Sequence, residues 1–140
     1  MLKAIQAKTL KNNKAYIMLE IITFLKENGA WCPAPKALPD VFEIYPADYK
    51  DFLSHVDGFH WEGLIFFGVS ETAPDLSEGK KILGKTDDGL IFIYDEAKCC
   101  FDVLEKASRD IFDTYKTFPE LLKSVVDEKT HDLKDLENEI

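Results

Sequence analysis

A chain of 140 residues with 46% hydrophobic residues and ten phenylalanines suits one domain with a proper core, spanning 1–140, and excludes a disordered polymer. Its formal net charge of −9 is uneven: residues 1–30 hold five lysines and two glutamates, a net of +3, and the remainder holds twelve basic and twenty-four acidic groups, a net of −12. Such an acidic body repels nucleic acid and anionic lipid and draws cationic partners, and no apolar run reaches the length of a bilayer span.

The first stretch, "MLKAIQAKTLKNNKAY", lacks the apolar block and cleavage site of a signal peptide, so the expected location is the cytoplasm. Residues 1–12 read as a helical turn or a loose arm. Ala15 to Asn28 reads as an amphipathic helix, with Ile17, Ile21 and Leu25 at four-residue spacing, Asn13 as cap and Gly29 after its end. Three prolines in "WCPAPKALPD" deny regular structure and suggest an extended connector. "PADYKDFLSHVDG" looks helical again. Tyr49, Phe52, Leu53 and Val56 fall on one side, Pro46 suits the first turn, and Gly58 stops it.

"FHWEGLIFFG" reads as a strand from its β-branched and aromatic content, and "ETAPDLSEGKK" as a polar loop. Two hairpins follow in series, the first turning at Asp88-Gly89 and the second over Asp95 to Lys98. Leu90 to Tyr94, apolar at every position, suits a central strand covered on both faces. The last element is a helix opened by the capping box Thr117-x-x-Glu120, with Leu121, Leu122, Val125 and Val126 as its buried stripe and 128–140 as a charged tail. Consecutive strands followed by a helix imply an α+β domain: a twisted antiparallel sheet of about four strands with helices packed against it.

The three cysteines are odd in number and lack framework spacing, so they read as reduced, structural thiols. The pattern His55-x-Asp57-x-x-His60-x-Glu62 raises the question of a metal or acid–base centre. His60 and Glu62, two apart on one strand, could form half a site, but no third ligand is evident and no established motif is matched. The expectation is therefore no metal and no cofactor. Phosphate-cradling glycine motifs and a G-x-S-x-G elbow are absent from the sequence.

The series "YPADYKDFLSHVDGFHWEGLIFFG" resembles the core signature of the SUKH superfamily, in its YrhA-like branch. Pro46, Asp48, Tyr49, Phe52, Leu53, Asp57, Gly58, Trp61, Gly63, Leu64, Phe67 and Gly68 stand at the signature positions. With the first helix, "DDGLIFIYDEAKCCFDVLEKAS" and "TFPELLKSVV", the resemblance covers roughly residues 14–127. Two departures are visible: Asp57 stands where Asn is usual, and a proline-rich stretch replaces a helical one between the first two helices. The resemblance implies a SUKH-like fold without catalysis. Many members of the superfamily are immunity proteins that neutralise a cognate polymorphic toxin, often a nuclease, and others are scaffold or regulatory proteins. The expected partner is a toxin with a basic surface, without nucleic acid or membrane. The candidate contact residues are Asp57, Trp61, Glu62, Asp87, Asp88, Asp95 and Glu96, rim acids around a tryptophan anchor, against the alternatives that Trp61 belongs to the core and that the paired acids serve turn geometry. Two other readings remain: an intracellular scaffold, and a small hydrolase using His60 with Glu62 or Asp57.

Overall fold

The computed structural model describes residues 14–69, 71, 75–77 and 79–139, so the expected arm over 1–12 and the Asn13 cap lie outside the described residues. Helix α1 spans Lys14–Glu27. It closes where Ala30 N–H reaches back to Leu25 O at 2.9 Å, and the Asn28 side chain donates to Phe24 O at 2.8 Å. The proline-rich connector that follows holds a short 3-10 turn, Asp40–Ile44. Helix α2, Ala47–His55, begins behind Pro46 and buries Tyr49, Phe52 and Leu53, the side expected from their spacing.

Among the described residues seven antiparallel strands form one sheet: β1 Phe59–Trp61, β2 Leu64–Phe66, β3 Asp75–Ser77, β4 Lys80–Thr86, β5 Leu90–Asp95, β6 Cys100–Glu105 and β7 Ile111–Tyr115. The spatial order is β1-β2-β4-β5-β6-β7, and β3 lies beside β4 on the edge that β2 also uses. Helix α3, Phe118–Glu139, completes the chain's described part and takes in most of the expected charged tail.

The fold class is α+β as expected, but the strand count exceeds four for three local reasons. "FHWEGLIFFG" is a hairpin, because Glu62 (φ 52°) and Gly63 (φ 80°) both take the left-handed conformation of a tight turn. The supposed polar loop contains β3, and the stretch before α3 contains β7.

The helices pack on one face of the sheet. Phe118, the first residue of α3, is the hub of that core: its ring lies 5.0 Å from Tyr49, 4.9 Å from Phe52, 5.7 Å from Phe66 and 5.8 Å from Phe101. The other face carries a smaller cluster, Ile91, Ile93 and Leu104, with Ile82 against it. Strand β5 is thus buried on both faces, as its unbroken apolar run predicts. Asp102 is buried among these groups, and its carboxylate is compensated by Lys98 Nζ at 2.9 Å and Thr114 Oγ1 at 2.7 Å.

The segment after α2 crosses the end of β2 at close range. A Cβ on Gly58 (φ 74°) would sit 2.3 Å from Phe66 O, so only glycine fits. Beside it the buried Asp57 carboxylate accepts the N–H of Val69 at 2.5 Å, and the Asp57 N–H donates to Pro33 O at 2.9 Å. Among the described residues no helix is long and apolar enough to cross a membrane.

Candidate functional site

The histidines and carboxylates of residues 55–62 do not converge. His60 Nε2 bonds Glu71 Oε2 at 2.8 Å, not Glu62, which sits exposed in the β1–β2 turn. His55 lies 3.7 Å from Asp51, one turn back on α2, and Asp57 is committed to Val69. Among the described residues no group of three or more His, Cys, Asp or Glu side chains is arranged to hold a metal ion.

The seven expected contact residues divide by burial. Asp57 and Trp61, 2% and 3% exposed, belong to the interior, so neither can meet a partner. The Trp61 ring lies edge-on to Phe24 at 5.7 Å. The exposed tryptophan is instead Trp31, at 57%, whose ring meets His60 at 4.8 Å. Asp95 is also buried, and its Oδ1 accepts the N–H groups of Ala97 and Lys98 at 3.0 and 3.2 Å. That is turn chemistry, and the expectation of a partner contact at Asp95 is corrected accordingly. Glu96, half-buried, lies with Asp95 at the end of β5 remote from Asp87 and Asp88. The six residues of β5 separate the two turns by about 20 Å.

Glu62, Asp87 and Asp88 remain, and they gather at one end of the sheet. Asp87 N–H donates to Gly63 O at 2.9 Å, which locks the β1–β2 turn against the β4–β5 turn. The β6–β7 turn joins them through Lys106 N–H to Gly89 O at 2.8 Å.

Beside this end α3 and the sheet leave a groove of about 350 Å³ with an apolar floor of Leu90, Val103 and Val125. Four carboxylates line it, from Asp88, Glu105, Asp113 and Glu128, with no lysine or arginine among the lining residues. Phe112, 64% exposed, forms part of its wall. A smaller recess shares Asp88, Leu90, Val125 and Glu128 and adds Asp132 and Lys129.

Each acid is positioned by a different element. Asp88 accepts the Thr86 hydroxyl in the β4–β5 turn, and Glu105 Oε1 takes the N–H groups of Ala107 and Ser108 at 3.1 and 3.3 Å. Val103 pairs with Asp113 and Phe101 with Tyr115, so the pleat turns Asp113 and Tyr115 toward the helix side. Glu128 stands three residues beyond Val125 on α3. The Tyr115 hydroxyl meets Ser124 Oγ at 2.7 Å. Burial pushes this phenol up, the Ser124 bond pulls it down, and the Asp113 and Glu128 charges push it up again. The Asp113 and Glu128 carboxylates thus both act on the Tyr115 hydroxyl. This arrangement can hold ammonium or guanidinium groups over an apolar floor.

Sequence reading missed Glu105, Phe112, Asp113, Tyr115 and Glu128. Strand β7 offers no apolar alternation to read, because most of it is exposed and the bulge at Phe112 puts Ile111 on the opposite face from Asp113 and Tyr115. A second groove, of about 320 Å³ between Val41, Ile44, Tyr45, Glu71 and Lys81, is mixed in charge. Comparison with protein-family models, with curated proteins and with solved structures finds no match to this chain.

Proposed function

We propose that the chain is a non-enzymatic, SUKH-like protein-binding module that neutralises a cationic toxin domain in the cytoplasm, the role of an immunity protein. The observation that carries this reading is the groove with four carboxylates and no cation in its lining. A nuclease-type toxin needs a basic surface to hold phosphates, and an inhibitor that offers carboxylates over an apolar floor competes for that surface. The −12 balance beyond residue 30 steers the encounter. Electrostatic steering lifts association from about 10⁵–10⁶ toward 10⁸–10⁹ M⁻¹s⁻¹ at low salt.

The SUKH-like fold draws support from what the signature residues do. Asp48 binds the start of α3, Tyr49 OH donates to Phe67 O at 3.2 Å, and Gly58 and Gly68 allow two segments to cross. They are joints of the architecture.

The test is capture of the protein encoded beside this chain, with affinity measured at low and high salt. A tight complex that weakens as salt rises supports the reading. A neighbour without basic surface, or several weak partners indifferent to salt, removes it in favour of a scaffold.

A further inference from the structure

We infer that the partner enters as an extended basic segment that adds a strand to the free edge of β7. This rests on the binding reading above and specifies how the groove is filled. Strand β7 is bonded to β6 on one side and ends the strand order, so no described strand covers its other side. The opposite edge is different. There Trp31 bridges β1, donating to His60 O at 2.8 Å and accepting from His60 N at 3.0 Å.

Edges left open are usually blunted by charged side chains, above all lysine, by proline, by bulges or by a covering segment. Strand β7, "IFDTY", contains no lysine or proline; its one charge is Asp113, which repels acidic strands and admits basic ones, and Ile111 and Phe112 are 54% and 64% exposed. A bulge leaves Phe112 outside the pairing with β6, but Asp113 to Tyr115 keep regular register.

The pleat decides what an incoming strand must carry. Asp113 and Tyr115 face the groove, whereas Thr114 faces the other side, with its hydroxyl on Asp102 at 2.7 Å. Alternate side chains of the added strand therefore stand beside Asp113, at the groove mouth, within reach of Glu128. Lysine or arginine fits there. A second copy of this chain does not: it would bring its own Asp110 and Asp113 against these acids, with a net charge of −9 on each copy. Backbone pairing would supply affinity and the alternating cations specificity.

The test uses a short synthetic peptide alternating valine and lysine, and two versions of it N-methylated at every valine or at every lysine. All three carry the same charge, but each methylated version loses the N–H groups of one edge. The expected result is slowed amide exchange across 111–115 with the parent peptide, and one methylated version binding about tenfold weaker than the other. Equal binding by all three, lost together in salt, overturns strand addition and leaves the acidic-binder reading standing. So does capture of the toxin without protection of β7. A dimer in sedimentation, with β7 protected in the absence of peptide, assigns the edge to a second copy and overturns the inference. Failure of both toxin and peptides to bind removes the parent reading as well.

Discussion

The Asp48 carboxylate accepts the N–H of Phe118 at 2.8 Å, although the two residues stand 70 positions apart. It satisfies a donor at the start of α3 with a charge of the sign a helix N-terminus favours. Its other oxygen is buried without a hydrogen-bond partner among the described residues, so the carboxylate's desolvation is offset mainly through this contact. Asp48→Ala is expected to lower stability by about 1–2 kcal/mol, read as a reduced urea midpoint at constant slope. An unchanged midpoint would show that the contact contributes nothing.

Two glycines with similar backbones provide an internal comparison. Gly29 (φ 87°) has nothing within 4 Å of a built Cβ, whereas at Gly58 (φ 74°) that atom meets Phe66 O at 2.3 Å. Gly29→Ala should cost about 1–2 kcal/mol from conformation alone. Gly58→Ala should cost more, about 3 kcal/mol or beyond, because backbone must move. Equal losses in thermal denaturation would mean the crossing is looser than described.

Alkaline pH should weaken the fold through Tyr49. Burial raises its phenol far above the ordinary value, and Tyr45 and Asp57 add to the shift. The unfolded chain ionises near pH 10, where the folded chain still holds the proton. Above that pH the unfolded state binds fewer protons, so stability falls as pH rises, by about 1.4 kcal/mol per unit for one such group. Tyr94 and Tyr115 are shifted in the same direction and share the trend. Tyr49→Phe should lose about 1 kcal/mol at neutral pH with the bond to Phe67 O. It should also make the decline above about pH 10 shallower. Urea titrations across that range provide the check, and parallel pH profiles for the two proteins would refute it.

Charge reversal in the groove should separate binding from folding. Asp113 and Glu128 are exposed, so Asp113→Lys and Glu128→Lys should change stability by no more than about 0.5 kcal/mol. Against the basic partner both should slow association and flatten its salt dependence. Stopped-flow traces identical to those of the unaltered chain would place the interface elsewhere.

Thiol reactivity should rank by surroundings. Cys99 is exposed in the turn before β6. Burial pushes the Cys32 thiol up against the lowering effect of Lys26, and burial pushes Cys100 up with the Asp102 charge adding to it. Iodoacetamide near neutral pH should label Cys99 first, read by peptide mass spectrometry. Prior labelling of Cys100 would contradict the packing at the start of β6.

What could be read in the sequence depended on how local the physics was. Thr117 and Glu120 announce the start of α3 because a cap involves neighbours, and in the structure Glu120 N–H does reach Thr117 Oγ1, at 3.3 Å. Asp88-Gly89 announces a turn for the same reason. The Glu62-Gly63 turn escaped because glutamate seldom adopts positive φ and the flanks are mostly large and apolar. Strand β7 escaped because most of it is exposed, so no buried face imposes an alternation of apolar residues. The burial of Trp61 and the exposure of Trp31 depend on contacts between distant segments, which spacing along the chain does not encode. The groove is assembled from a turn, two strands and a helix, and only Asp88 among its acids lay in a recognisable motif.

The position of Phe118 has a consequence for biosynthesis. Its four aromatic neighbours are all translated before it, so a growing chain carries an open apolar cleft until α3 has left the ribosome. The sheet and the two earlier helices then have no finished interior on their own. Severed from α3, they would need that helix supplied as a separate fragment, and its docking would convert a sticky precursor into the native fold in one step.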